Sequence, residues 1–423
     1  MERAPFGCLT NKPPIYMITP MLKCGTPATL GNPPEVWGLF GTFVGGNHFS
    51  SIYKCSMTRR SLTYIVALLS ALLLLASCNG KKRRSTTGAT GNALSLIAVV
   101  PDGNLDNQAL RDSITFYFGQ PVTILPQPEP MTDISFVEAS NFVSFVRRVR
   151  NILYVSIDPE TYSGPSVGLS RNDYASGQLI IHAKGRSLDD IYTLLQSRGD
   201  QLVQLIYTEE LKRRQDYLEQ TFSNPIRQLI EDSVGVTMNP PTGLDFTKAQ
   251  KGLVWASNMD QSKRIDLVVY SIPYRNPNTF TEEYFTELRD SILGSIITGK
   301  YPGSQMTTTK RDAPPFNYYH GMTYLGDYRG ELRGLWEMTN DMMGGSFVMQ
   351  GMLDKSGRNL VIGEVFIYAP GEKQRNMLLN AEASLYTIRP IGADFRTHKM
   401  PNTMDELVVT PTPDGVEEEI PTE

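Results

Sequence analysis

The chain has 423 residues, of which 40% are hydrophobic and 20% are charged, so it is long enough for two globular domains. Its formal net charge is -4 at pH 7. Binding to a phosphate backbone needs concentrated Lys and Arg. We therefore expect no nucleic-acid partner.

Cysteine and histidine usage restricts the chemistry of the chain. The four cysteines are Cys8, Cys24, Cys55 and Cys78, so the residues after Cys78 contain no thiol for a disulfide, a nucleophile or a metal ligand. The three histidines of that region lie too far apart in sequence for the spacing of a zinc site. We predict no metal and no cofactor.

The segment ahead of Cys78 has the layout of a bacterial export signal. Arg59 and Arg60 precede an apolar run over residues 64–76, which is shorter than the roughly 20 residues of a transmembrane helix. The next residues complete Leu75-Ala-Ser-Cys78, which resembles the lipobox of bacterial lipoproteins. The resemblance implies cleavage before Cys78 and lipid, palmitate included, on that cysteine. An uncleaved anchor and conventional cleavage without lipid are the alternatives.

The flanks of this signal have different compositions. Residues 1–56 are rich in Gly and Pro and lack periodicity, so we interpret them as a non-native upstream extension or a disordered leader, with 57–77 as the signal peptide. Residues 78–92 form a predicted flexible tether with a basic cluster near anionic head groups. Surface-exported lipoproteins of the Bacteroidota resemble one another in acidic residues at this point. The basic residues therefore favour the periplasmic side of the outer membrane.

The remaining patterns predict an α+β fold of two sandwich-like units, 93–235 and 236–390, with mixed or antiparallel sheets and extra strands in the second. A disordered acidic tail is predicted over 391–423. Strands are predicted at 93–100, 151–157, 178–183, 253–255, 265–272, 318–325, 330–338, 346–353 and 360–368. Helices are predicted around 110–117, from Ser187 to about Phe222, at 226–233, from 279–282 to Gly299, and at 373–385.

A short sequence motif that occurs twice suggests that the two units are related. Leu110-Arg-Asp-Ser-Ile114 and Leu288-Arg-Asp-Ser-Ile292 each lie on a helix after a strand, and Arg-Asn at 150–151 and 358–359 leads into a later strand. We hypothesise two related α/β units. Chance is the alternative, because each phrase is short.

Two short motifs allow a chemical and a structural interpretation. Gly164-Pro-Ser-Val-Gly168 matches a nucleophile elbow in letters, but no helical pattern follows it, which favours an ordinary loop over a serine hydrolase. Arg147-Arg148-x-Arg150 lies at a predicted helix end. It could hold an anion, although the helix dipole explains basic residues there more simply.

The most distinctive stretch runs from Arg333 to Phe347. We predict a tight turn with positive φ at Gly344-Gly345, beside which Arg333, Trp336 and Asp341 could line a ligand pocket. The competing interpretation is a hairpin with a packed tryptophan and a structural ion pair. The nearby tyrosines could form an aromatic face that binds a sugar or a peptide. They could equally form cross-strand pairs in the core; they are Tyr318, Tyr319, Tyr324 and Tyr328.

Several short motifs resemble those of DUF4837, a domain-of-unknown-function family of Bacteroidota envelope lipoproteins. They are Arg150-Asn-Ile152, Arg289-Asp-Ser291, Arg333-Gly-Leu-Trp336 and Met343-Gly-Gly345, and the resemblance covers about Leu94 to Ile388. Ser346 stands where the family pattern has proline. The resemblance implies an envelope location and no particular chemistry.

The expected function is a non-enzymatic, lipid-anchored envelope protein that faces the periplasm and binds a protein or glycan partner. The first alternative is a carbohydrate or cell-wall hydrolase that uses carboxylates such as Asp290, Glu337 or Asp341. The second is an outer-membrane assembly factor. A cleft that brings two carboxylates together would favour the hydrolase, and co-purification of a membrane partner would favour the assembly factor.

Overall fold

The computed structural model describes residues 87–276, 279–310, 317–322 and 328–394, and for 317–322 the backbone alone. The predicted extension, signal peptide and lipid site at Cys78 lie outside this range, as do the side chains of Tyr318, Tyr319 and Tyr324. The helices are α1 (Gln108–Phe118), α2 (Leu188–Thr221), α3 (Asn224–Val234), α4 (Glu282–Ile296) and α5 (Arg375–Glu382).

Fifteen strands lie in the described part of the chain. They are β1 (Ser95–Val100), β2 (Asp133–Glu138), β3 (Asn151–Ile157), β4 (Ser166–Arg171), β5 (Leu179–Gly185), β6 (Val236–Thr237), β7 (Phe246–Gln250), β8 (Leu253–Ser257), β9 (Arg264–Pro273), β10 (Met306–Thr308), β11 (Asn317–Met322), β12 (Tyr328–Met338), β13 (Gly344–Leu353), β14 (Asn359–Tyr368) and β15 (Arg389–Pro390).

The first sheet has the order β2-β1-β3-β5-β4, in which β4 alone is antiparallel to its neighbour. Alternate residues point to opposite faces of a strand. Leu96 and Leu153 therefore join α1 and α2 in the main core, whereas Val99, Ile152 and Ile180 pack on the other face with Phe142. Among the described residues, that second face is covered by the segment 139–149, which contains two short 3-10 helices, Ala139–Asn141 and Val146–Arg148, and no α-helix.

The second sheet is antiparallel, with the order β10-β12-β13-β14-β9-β8-β7, and β11 pairs with β12. Its central strands carry apolar side chains on both sides because both faces are covered. Ile362 and Phe366 of β14 pack with Phe285 of α4, while Val361 and Val365 belong to the core that includes α2, α3 and α5. The two sheets thus share one large core through their helices.

Polar contacts near the start of α5 also connect the two units. Glu129, a buried residue of the first unit, accepts hydrogen bonds from the N–H groups of Gln374 (2.6 Å) and Arg375 (3.2 Å). A carboxylate there pairs with N–H groups that a helix leaves unsatisfied and with the positive end of its dipole. Arg375 in turn pairs with Asp133 at 2.6 Å.

The α+β prediction is confirmed, but the two sheets differ in strand direction. β3 runs parallel to β1, whereas β14 runs antiparallel to β9. The repeated phrases also occupy different surroundings: Arg111 lies over the Phe136 ring, while Arg289 is fully buried against Glu364. The shared Leu-Arg-Asp-Ser-Ile motif therefore does not place α1 and α4 in equivalent surroundings.

The predicted tether is shorter than expected. Residues 87–92 were assigned to it, but Gly88 bridges to Ser176 and Thr90 bridges to Val149. The N–H group of Arg150 also donates to the carbonyl of Thr90 at 3.0 Å. The chain is therefore held against the first unit from about residue 87 onward. No helix in the described ranges has the length and apolar character needed to cross a membrane.

Candidate functional site

An open cleft of about 450 Å³ lies where the chain enters the first sheet. It is bordered by the segment before β1, the start of β3, the middle of α2 and one turn of α5. Its lining residues are Gly91, Asn92, Ala93, Arg150, Glu210, Arg213, Arg214, Tyr217, Leu379 and Asn380. We call this feature the arginine cleft.

The α2 side of the arginine cleft follows from helical spacing. Residues three, four and seven positions apart share one face of a helix. Glu210, Arg213, Arg214 and Tyr217 have this spacing and line the cleft together. The capped start of α2 fixes its beginning, because the hydroxyl of Ser187 accepts a hydrogen bond from the N–H group of Asp190.

Glu210 holds the floor of the arginine cleft and is almost completely buried. Its Oε1 accepts hydrogen bonds from the Leu94 N–H group at 3.2 Å and from Asn151 Nδ2 at 2.8 Å. Ion pairs join the same carboxylate to Arg150 and Arg213, each at 2.9 Å. One side chain of α2 therefore fixes the starts of β1 and β3 and orients two arginines.

Three guanidinium groups face one carboxylate in this cleft. Arg150 and Arg213 share Glu210, but no ion pair of Arg214 with a carboxylate occurs among the described residues. Arg214 instead lies over the ring of Tyr217, with 4.5 Å from Cζ to the centroid. Burial lowers the pKa of Arg214. Its Nε is buried and has no hydrogen-bond partner among the described residues. The site thus carries positive charge that its own carboxylate does not balance.

The backbone is strained beside the same cleft. Leu94 is fully buried and has φ of 62°, which places a bulky residue in the left-handed region. Such a conformation costs about 1–3 kcal/mol and persists where the surroundings fix it. Here the bond from Leu94 N to Glu210 accompanies it.

This arrangement suits an anion with several oxygen atoms. A guanidinium group offers N–H donors in a planar fork that matches carboxylate and phosphate groups. Partial burial strengthens such hydrogen bonds because the local dielectric constant is lower than in water. The described residues contain no group of three or more His, Cys, Asp or Glu side chains that could hold a metal ion.

The residues Arg333, Trp336 and Asp341 do not form the predicted pocket. Arg333 is buried between Glu331, at 2.5 Å, and Glu382, and the hydroxyl of Tyr386 lies within hydrogen-bond distance of both carboxylates, at 3.0 Å and 2.8 Å. Burial would lower the pKa of Arg333, but the two carboxylates outweigh it and hold the pKa well above its usual value. Arg333 belongs to the structural ion pair of the competing interpretation.

Trp336 lies on the opposite side of β12 from Arg333. Its ring contacts Phe366 edge-on at 5.6 Å, and its Nε1 donates to the carbonyl of Ile367 at 3.1 Å. Asp341 is in the loop after β12, where its carboxylate accepts from the Met342 N–H group at 2.7 Å. These placements agree with a hairpin that contains a packed tryptophan.

The tight turn predicted at Gly344-Gly345 is wrong. Both glycines begin β13, and neither has positive φ; the left-handed residue of the 339–343 loop is Asn340, with φ of 57°. Gly345 is needed for a different reason, because a Cβ there would lie 1.9 Å from the carbonyl oxygen of Ile367. Close approach of neighbouring strands, not turn geometry, explains this glycine.

The three carboxylates named for the hydrolase alternative make different contacts. Asp290 accepts hydrogen bonds from the N–H group (2.6 Å) and hydroxyl (2.7 Å) of Thr308, and it pairs with Lys310 at 3.2 Å. Glu337 and Asp341 line another open cleft, of about 580 Å³, beside Tyr301. Asp290 thus contacts Thr308 and Lys310, while Glu337 and Asp341 line one surface depression.

The serine of the elbow-like motif is not at a strand-to-helix turn. Ser166 is the first residue of the edge strand β4, so the predicted loop contains a strand. A different serine, Ser170, lies 3.0 Å from Nε2 of His182 on β5. Burial lowers the pKa of that histidine, and no hydrogen bond from its other ring nitrogen to a carboxylate occurs in the described ranges. The pair is a diagonal cross-strand contact.

The basic motif at 147–150 points to Arg150 as an anion candidate, but no short sequence motif points to the other residues of the arginine cleft. Glu210 lies 116 residues from Leu94 and 60 from Arg150, so no local pattern joins them. One signal was present. The charged residues at 210, 213 and 214 occupy the face of α2 on which Tyr207 and Leu218 are buried, where an apolar stripe would be expected.

Comparison with family models divides the chain at the start of α3. Residues 223–387 match the family described as "Domain of unknown function (DUF4837)", and residues 89–219 match "Domain of unknown function (DUF8532)". The resemblance to DUF4837 is confirmed for the second unit, while the first unit matches a separate family that the sequence analysis did not anticipate. No curated protein and no solved structure matches the chain.

Proposed function

We propose that this chain, whose residues 223–387 match DUF4837, is a lipid-anchored envelope protein that faces the periplasm and binds an anionic ligand in its arginine cleft. The ligand class is a phosphate or carboxylate group carried by an envelope molecule. The observation that carries the binding role is Arg214, which lies in an open cleft beside two further arginines and pairs with no carboxylate of the described residues.

The anchor is supported by the sequence before the folded part. Leu75-Ala-Ser-Cys78 follows a basic start and an apolar run, as in lipoprotein precursors. A single acyl chain gives only marginal membrane binding, so stable attachment requires more than one chain on the cysteine. The basic residues after Cys78 support the periplasmic orientation, since the surface-exported lipoproteins of the Bacteroidota resemble one another in carrying acidic residues there.

The alternatives differ in what they need from the structure. A carboxylate hydrolase would have to use Glu337 and Asp341 at their shared cleft, because Asp290 is bonded to Thr308 and Lys310. An outer-membrane assembly factor would need a protein partner. Crosslinking of the anchored protein in its membrane would capture such a partner.

The anchor is tested by intact mass spectrometry of the protein extracted from its native membrane. We expect a species that starts at acylated Cys78 in the wild type and its loss in Cys78→Ala. A full-length or unlipidated wild-type species would overturn the anchor. This outcome leaves the arginine cleft untouched, so the two parts of the proposal fail separately.

The cleft is tested with inorganic phosphate as the probe. The melting temperature of the purified protein should rise with phosphate relative to chloride at equal ionic strength, because a ligand that binds the folded state stabilises it. Arg214→Gln should weaken apparent phosphate affinity about tenfold or more, since a hydrogen bond to a charged group is worth about 1.5–3 kcal/mol.

The matched control is Arg198→Gln. Arg198 lies on the same helix but lines a different depression with Pro165 and Leu202. We expect this variant to keep wild-type phosphate affinity. Equal losses in both variants, or no phosphate effect in the wild type, would exclude the arginine cleft as an anion site.

A further inference from the structure

Two neighbouring loops of the first unit expose apolar side chains together. The loop before β3 exposes 49% of Val143 and 71% of Phe145, and the loop before β5 exposes 39% of Tyr174. Phe142 touches Tyr174 edge-on at 5.8 Å, so the loops are in contact. We call Val143, Phe145 and Tyr174 the loop patch.

The local structure holds this patch outward. Phe142 is buried against Tyr154, and its carbonyl accepts a hydrogen bond from Arg147 Nε at 2.6 Å. Ser144, between the two exposed residues, has φ of 43°, in the left-handed region that L-residues rarely adopt. The chain thus has a fixed, strained tip with an apolar residue on each side.

The charge around the loop patch is basic. Residues 139–150 contain Arg147, Arg148 and Arg150 and no carboxylate. Arg147 is exposed and lies 5.5 Å from the ring centroid of Tyr174. Asp173, on the second loop, is the acidic residue beside Tyr174. Exposed aromatic and aliphatic groups beside arginines have the composition of surfaces that bind anionic membranes.

The chain enters the folded part beside the same two loops. Gly88 bridges to Ser176 in one loop and Thr90 bridges to Val149 in the other. Thr87 follows Cys78 by nine residues, which span at most about 30 Å when extended. A lipid on Cys78 would therefore keep the loop patch within reach of the bilayer surface.

We propose that the loop patch inserts into the head-group region of an anionic bilayer, with Arg147 and Arg148 against the lipid phosphates. This second membrane contact rests on the proposed lipid anchor for its proximity to the bilayer, but its chemistry is independent of the lipid. It turns the amino ends of β1, β3 and β5, and with them the arginine cleft, toward the membrane.

The test uses protein extracted from its membrane and reconstituted into vesicles of equal parts phosphatidylglycerol and phosphatidylcholine. Phe145→Cys or Met342→Cys carries the environment-sensitive fluorophore NBD, and labelled wild type measures the background. Met342 is the control because it is 100% exposed and lies in the loop between β12 and β13. We expect severalfold brighter, blue-shifted emission at position 145, quenched by nitroxide lipids, and water-like emission at position 342.

Water-like emission at both positions would overturn the loop patch as a membrane contact. Equal emission at position 145 in vesicles of phosphatidylcholine alone would overturn the role assigned to the arginines. Intact mass of the same samples separates this proposal from the anchor. A lipidated protein with water-like emission keeps the anchor and removes the patch, whereas an unlipidated protein that responds to vesicles keeps the patch and removes the anchor.

Discussion

Two arginine clusters of this protein differ in how their charge is balanced. Arg333, on β12 of the second sheet, has Glu331 and Glu382 as direct partners and is completely buried. In the arginine cleft, Arg150 and Arg213 share Glu210, and Arg214 has no carboxylate within the described part of the chain. The cluster whose arginine is paired with carboxylates is closed to solvent, and the cluster with excess positive charge is open. The comparison teaches that charge balance and access, rather than arginine count, separate a structural network from a candidate ligand site.

The largest expected effect comes from Arg333→Gln. Removing this cation leaves Glu331 and Glu382 buried without it, which should lower the free energy of unfolding by about 3–5 kcal/mol. Urea unfolding measures the change. Adding Glu331→Gln and Glu382→Gln to Arg333→Gln should recover part of the loss. A loss below about 1 kcal/mol for the single variant would contradict the stabilising role of these buried ion pairs.

A second buried arginine–carboxylate pair, Arg289 with Glu364, predicts that stability depends on pH. Glu364 pairs with Arg289 at 2.8 Å, and burial raises the pKa of this carboxyl from 4.5 to about 7. The folded state therefore holds its proton more tightly than the unfolded chain. The contribution to stability is full below about pH 4.5 and is lost as pH rises through about 7, by about 3 kcal/mol in total.

Glu364→Gln cannot titrate and tests this dependence. Between pH 4.5 and pH 8, we expect the wild type to lose about 3 kcal/mol more unfolding free energy than Glu364→Gln. The control is Glu287→Gln, an exposed position on α4, the helix that carries Arg289. The same pH profile in wild type and Glu364→Gln would show that the pKa of Glu364 is not raised by folding.

A smaller effect is expected at Gly345, which lies near the packed tryptophan of the same sheet. A Cβ at this position would meet the carbonyl of Ile367, so Gly345→Ala should cost about 1–3 kcal/mol through displaced strands. Gly164→Ala is the matched control, because its Cβ would meet nothing within 4 Å. Thermal and urea unfolding of both variants measure the difference. Equal stability of the two would contradict the close-approach explanation.

Local signals predicted much of the fold. The apolar run of β3 gave its bounds, Asn151–Ile157, and the hydroxyl of Ser187 caps α2 as its position predicted. The edge strands β4 and β7 were missed because neither carries an apolar run: β7 is exposed along its whole length. Edge strands face water on more sides than central ones, which removes the hydrophobic pattern from which strands are predicted.

The candidate site was less predictable because long-range contacts create it. Arg150 was identified from a local basic motif, but its partner Glu210 comes from a helix 60 residues later. The Gly344-Gly345 prediction failed because Asn340 tolerates the left-handed conformation that was assigned to glycine. Sequence patterns report local backbone preferences, whereas charge balance in a cleft depends on which distant side chains fold together.

The smallest expected effect on stability is that of Arg214→Gln, the matched counterpart of Arg333→Gln. Since no carboxylate in the described ranges pairs with Arg214, its removal should change the free energy of unfolding by no more than about 0.5 kcal/mol. At low salt, the removal of one of three neighbouring positive charges should offset part of the lost contact with the Tyr217 ring. Urea unfolding at low and high salt measures this. A loss comparable with that of Arg333→Gln would mean that Arg214 stabilises the fold and would remove the reason for treating its charge as available to a ligand.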